Sequence, residues 1–140
     1  MFWFVLWLAS MLAVCGFAFW KGGAPERIVA AALQAGWLGT YLLANHANLA
    51  DPQWGVLAVD VAFLAVVLYV ALTADRIWPL FAAAFQLLGI VIHLAISVDT
   101  DIRLLAYLRG LMIWSYLVLW SLALGSYLNW KRERLAAGPA

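Results

Sequence analysis

Long apolar runs alternate with short polar breaks along this chain, and the breaks fall at Lys21–Arg27, Ala47–Gln53, Asp75–Arg76 and Ser97–Asp101. The runs between them cover about 2–20, 28–46, 54–73, 78–97 and 102–129. A hydrocarbon core of about 30 Å takes roughly 20 apolar residues of helix, so each run predicts one membrane-crossing helix. Gly22-Gly23 and Pro25 punctuate the first break and Asp51-Pro52 the second, where a helix cannot continue. Trp78-Pro79 suits a helix start, and the Asp75-Arg76 turn is so short that the third and fourth helices must run antiparallel. The fifth run is longer than the membrane needs. About 28 residues at 1.5 Å each make about 42 Å, which predicts tilt or protrusion before the basic stop Lys131-Arg132-Glu133-Arg134 and a frayed tail.

Within the fourth run the polar positions are patterned. Gln86, Gly89, His93 and Ser97 lie at relative positions 0, 3, 7 and 11, which at about 100° per residue form one stripe on an otherwise apolar helix. Small residues recur at four-residue spacing in three other runs: Ala9 with Ala13; Ala32, Gly36 and Thr40; Ser121 with Gly125. Such faces let helix backbones approach closely in lipid.

Composition sharpens this into a class. With 68% hydrophobic and 11% charged residues the chain departs far from a soluble domain, at about 45–50% and 25%. The fold class is an all-α, polytopic integral membrane bundle of five transmembrane helices forming a single domain over 1–140. No base precedes the first run, so it reads as a retained helix rather than a secretory leader. The net charge of +1 offers no field for nucleic acid, and Cys15 alone makes neither an internal disulfide nor a multi-cysteine metal site. Six bases (Lys21, Arg27, Arg76, Lys131, Arg132, Arg134) against three acids (Glu26, Asp75, Glu133) fall on one side, and Asp51, Asp99, Asp101 and Arg103 on the other. The positive side is expected to be cytoplasmic, which makes the chain N-out and C-in, in what reads as a bacterial inner membrane. Trp20, Trp78 and Trp130 then mark one interface and Trp3 and Trp54 the other.

Candidate chemistry lies at one depth. Asp60 is six residues inside Trp54, His93 six before Asp99 and Arg109 six past Arg103, about 9 Å below the outer interface by helical rise. A lone charge among lipid tails costs at least about 2.5–3.5 kcal/mol, so such groups pair, snorkel or line a site. Asp60 with Arg109 is the simplest pairing. Gln34 and Gln86 sit deeper, where a Gln to Gln or Gln to backbone contact would join two parallel helices. His93 and His46 differ by only about 3 Å in depth if their helices start level, which leaves a bis-histidine haem or another tetrapyrrole open beside plain interhelical hydrogen bonding. Trp7, Trp37, Trp114 and Trp120 fall away from the interfaces, as packing residues or as pocket walls.

No nucleophile elbow, phosphate-binding loop or zinc helix occurs, so no enzyme and no resident metal or cofactor is expected. The leading functional expectation is a non-enzymatic accessory or assembly subunit, whose partners would be the lipid bilayer and other membrane subunits or a second copy. The alternative is a small transporter or ligand-binding bundle using Asp60, His93 and Arg109 with Gln34 and Gln86. A haem- or pigment-binding protein stands third.

Overall fold

A computed structural model describes residues 2–49, 51–99 and 104–139 of the chain, and its regular elements are five α-helices: α1 (Phe2–Lys21), α2 (Ala24–Leu43), α3 (Trp54–Thr73), α4 (Trp78–Val98) and α5 (Leu104–Ala136). Four of them, α1, α3, α4 and α5, are long and apolar enough to cross a membrane. The remaining helix, α2, is less apolar because its first turn carries Glu26 and Arg27 and its middle is diluted by Gln34, Gly36, Gly39 and Thr40. The helices close into a ring in chain order, with α1 returning to pack on α5, and α2 also touches α5 across the middle. The α4–α5 contact is the most extensive, and α2 and α4 do not pack along their lengths, meeting only where Trp78 reaches Glu26. The expected contact between Gln34 and Gln86 therefore does not form, because α3 stands between their helices.

Three boundaries differ from the sequence reading, each for a local reason. Helix α2 starts at Ala24, with Pro25 in its first turn where a missing N–H costs nothing. It ends at Leu43 rather than near His46, because Ala44 turns to extended backbone and the next segment folds on side-chain amides instead. Asn45 Oδ1 accepts from the N–H groups of Ala47 and Asn48, while the buried Gln53 amide takes the Asn45 N–H at 2.7 Å and donates to the Asn48 and Asp51 carbonyls. These local bonds compete with helical ones. Helix α5 runs on to Ala136 through the basic segment, whose residues are good helix formers; Asn129 Nδ2 donates to Glu133 Oε1 one turn on, and the Arg134 guanidinium sits 4.9 Å over the Trp130 ring. At about 1.5 Å per residue its 33 residues reach about 50 Å. The expected start of this helix at 102 lies outside the described residues.

Apolarity alone does not separate inside from outside here, since the exterior is as apolar as the core. The face of the helix on which a residue falls does. The core is built from Met11, Cys15 and Ala18 of α1, Val29 and Ala30 of α2, Phe63, Val67 and Val70 of α3, Trp78, Ala82 and Ala83 of α4, and Val118, Leu119 and Leu122 of α5. Large side chains such as Leu72, Ile77 and Val98 point outward. The faces of small residues divide accordingly. Ser121 and Gly125 are buried within the bundle, Gly36 and Gly39 bring α2 against Val59 of α3, and Ala9 and Ala13 are exposed.

One end of the bundle is locked by a polar knot. Glu26 is fully buried, and its two oxygens accept from the Gly23 N–H at 2.8 Å and the Trp78 indole N–H at 2.9 Å. Trp78, expected as an interface anchor, is thus a core residue pinned by a carboxylate. Beside it Asn129 accepts from Arg76 Nη2 at 2.8 Å and donates to the Lys21 carbonyl at 3.1 Å, tying the α1–α2 and α3–α4 turns to α5. A buried polar group deprived of such a partner costs about 1–3 kcal/mol. Gly125 leaves the room that Trp78 fills, because a Cβ there would lie 2.5 Å from the indole ring. Replacing Gly125 by Ala is expected to lower the stability of the detergent-solubilised protein by about 1–3 kcal/mol through overpacking, while Gly16→Ala, which meets open space, is expected to cost nothing. Equal thermal unfolding of the two variants would contradict this packing.

Candidate functional site

The stripe on α4 faces the bundle interior, as its period requires. Gly89 and His93 are buried, and Gln86 and His93 both meet Asp60 of α3. Asp60 Oδ1 accepts from Gln86 Nε2 at 3.1 Å, and the same amide reaches the Asp60 backbone carbonyl at 3.3 Å. The second oxygen, Oδ2, lies 2.9 Å from His93 Nε2. That approach is close but not aligned as a hydrogen bond, so Nε2 has no directional partner of its own. The other ring nitrogen, Nδ1, is 2.8 Å from the hydroxyl of Tyr107 on α5, whose ring stands edge-on to the imidazole at 5.6 Å and 80°. Gln86, Asp60, His93 and Tyr107 thereby form a continuous polar chain through three helices, with His93 and Tyr107 only 4% and 3% exposed.

The chain of contacts constrains the protons. With Asp60 ionised, a proton on Nε2 faces the carboxylate, leaving Nδ1 as the acceptor for the Tyr107 hydroxyl. Taking up one further proton makes the pair neutral: as carboxylic acid and neutral imidazole it separates no charge, which is the cheap state in a low dielectric, and Nδ1–H then donates to the Tyr107 hydroxyl oxygen. The arrangement can therefore hold one proton between carboxylate and imidazole, with the phenol as the next link.

A cavity of about 210 Å³ opens beside this pair and is walled by all five helices. Asp60, Gln86 and His93 supply its polar side; Trp7, Trp37 and Phe63 supply aromatic faces, and Thr40 and Ser115 border it. The Ser115 hydroxyl is spent on the Leu111 carbonyl at 2.8 Å. Two of the four deep tryptophans are thus cavity walls. Of the others, Trp114 stacks on Phe85 at 6.3 Å, and Trp120 is 71% exposed on the outer face of α5.

Other expected members lie elsewhere. Arg109 is exposed, and the Asp60 carboxylate meets His93 instead. The cause is angular: Tyr107 and Arg109 are two residues apart on one helix, about 200° around the axis, so turning Tyr107 inward turns Arg109 outward. Tyr107 itself was missed, although it heads a recurring set (Tyr107, Leu111, Trp114, Val118, Ser121, Gly125) that marks the inner face of α5 at three- and four-residue steps. Gln34 is half-buried and does not line the cavity. His46 is exposed in the segment after α2, its Nε2 2.8 Å from the Tyr41 carbonyl, and is not brought to His93. Ligation of a haem iron by His93 would require displacing Tyr107 or Asp60. Among the described residues no three His, Cys, Asp or Glu side chains gather as a metal site.

Set against protein-family models, curated proteins and solved structures, this chain matches none. Its function is argued from the cavity alone.

The geometry makes a specific energetic statement. In a double-mutant cycle, Asp60→Asn and His93→Gln are expected to show a coupling of about 0.5–2 kcal/mol in unfolding from mild detergent. Asp60→Asn with Arg109→Gln should be additive. Strict additivity of the first pair, or strong coupling of the second, would contradict the observed contacts.

Proposed function

We propose that this chain is a small ligand-binding or transporting membrane bundle, in which all five helices cross the bilayer with the N-terminus outside and the C-terminus cytoplasmic. The observation that carries the reading is the carboxylate–imidazole pair of Asp60 and His93, held in the bundle interior beside a cavity to which every helix contributes a wall. A pair serving packing alone would be expected to have the space around it filled, since a void forfeits contacts and an apolar substitute costs no desolvation. Aromatic faces with a few convergent polar groups are the usual lining of a small-molecule site. Asp60, Gln86 and His93 are the recognising groups in this reading, Tyr107 positions the imidazole, and Arg109 takes no part.

The five-span arrangement is supported by the closed ring, in which α2 is flanked by two helices apolar enough to span, and the orientation by the clustering of bases at one end. An accessory-subunit role is a second reading, favoured by the exposed aromatics Trp3 and Trp120 and the unburied Ala9–Ala13 face. The two readings differ in where the working surface lies.

A reporter active only in the cytoplasm, fused after Ala140, is expected to give signal, and one active only outside, inserted between Ala50 and Gln53, is expected to give signal too. The opposite pattern at both sites would overturn the orientation. For the cavity, protein extracted from its own membrane in mild detergent is expected to carry a small molecule, detected by mass spectrometry of an organic extract. Ser115→Phe, which fills the cavity, and His93→Ala are each expected to reduce that molecule at least tenfold while the protein remains folded. Identical extracts from wild type and both variants would favour the subunit reading.

A further inference from the structure

On the face of α4 and α5 away from the cavity, an apolar groove of about 630 Å³ runs between Phe81 and Phe85 of α4 and Leu117, Trp120, Leu124 and Tyr127 of α5. At its end lies a second, more polar hollow of about 400 Å³, bordered by Arg76, Arg132, Asp75 and Leu128. Trp78 borders both, so the two adjoin across one residue. We propose that together they form a binding site for one anionic phospholipid, with its phosphate between Arg76 and Arg132 and an acyl chain in the groove.

Three observations support that occupant. First, the polarity is graded in one direction: cations at one end and an apolar, aromatic channel beyond them, which is the pattern of an amphiphile standing along the membrane normal. Second, the length fits. Leu117 to Leu128 is 11 residues, about 16 Å of helix, close to half of a hydrocarbon core of about 30 Å. Third, the charges complement a phosphate. Arg76 is held in place by Asn129 at 2.8 Å with its fork only partly used, Arg132 is exposed, and Asp75 is the carboxylate that borders the hollow, those of Glu26 and Glu133 being engaged by Trp78 and Asn129. Basic pockets between membrane helices are where anionic headgroups are held. The groove wall is preformed, because Trp78 is pinned by Glu26 and cannot swing out to fill it. The inference needs α4 and α5 to cross the bilayer, which their length and apolarity support, and it is independent of what the interior cavity binds.

The test uses the full chain in mild detergent, with phosphatidylglycerol and phosphatidylcholine of the same acyl length added together at equal concentration and the retained lipid read by native mass spectrometry. The wild type is expected to retain one phosphatidylglycerol in preference to phosphatidylcholine. Arg132→Gln is expected to lower that preference about fivefold, the weight of one base near a membrane surface. Arg27→Gln, an exposed base that does not border the hollow, is expected to leave it unchanged. Ala123→Trp, which narrows the groove, is expected to reduce retention of both lipids. No preference in the wild type, or an equal loss with Arg27→Gln and Arg132→Gln, would overturn the site. A pair of chains crosslinked through the Trp120→Cys side chain would also overturn it, by making a second copy the occupant.

Discussion

A carboxylate and an imidazole cannot be left alone in an apolar bundle, and the meeting of Asp60 with His93 is the constraint on which the upper half of this structure depends. It sets α3 against α4 at one register, and Tyr107 extends the same requirement to α5. Fifteen residues earlier on α4, about 22 Å away by helical rise, Trp78 meets Glu26 and imposes the same kind of requirement on α2 and the α1–α2 turn. Two polar pins therefore fix one helix at both ends. Between them the packing is done by small side chains such as Cys15, Ala18, Ala30 and Ala82, which let the backbones approach but specify little by themselves.

The division of labour between the pins is physical. Both oxygens of the Glu26 carboxylate have a neutral donor, and Glu26 itself is fully buried; this end is a lock. At the Asp60 end the imidazole nitrogen Nε2 has a close but unaligned neighbour, the carboxylate is one-quarter exposed, and a cavity adjoins both. An incompletely satisfied pair beside open space is where a further hydrogen-bonding group gains most from binding. That asymmetry separates the candidate site from the structural knot, although both are built from one carboxylate and one aromatic or imidazole partner.

Much of the fold was legible in the sequence. The polar breaks around α3 and α4 locate those helices to within a residue, and the Gln86–Gly89–His93 stripe identifies the inner face of α4 because a 3.6-residue period is an angular measurement. Depth was legible too, but depth without angle misassigned Arg109, which shares its level with Asp60 yet lies on the far side of α5 from Tyr107. The polar knot was hidden for another reason. Glu26 sits in a segment that reads as a solvated break and Asn129 at the very end of the fifth apolar run, and only the three-dimensional return of α5 to the α1–α2 turn buries them. The end of α2 at Leu43 was equally out of reach, since it is set by the Gln53 amide ten residues further on rather than by any signal at the helix end itself.

The most direct measurement of the account is the nitrogen chemical shifts of the His93 imidazole by solid-state NMR in lipid bilayers, with the protein labelled at histidine. The account predicts two inequivalent nitrogens sheltered from bulk water, with Asp60→Asn moving the Nε2 resonance and Tyr107→Phe moving the Nδ1 resonance, each selectively. A His93 signal that exchanges freely with water and responds to neither substitution would contradict it.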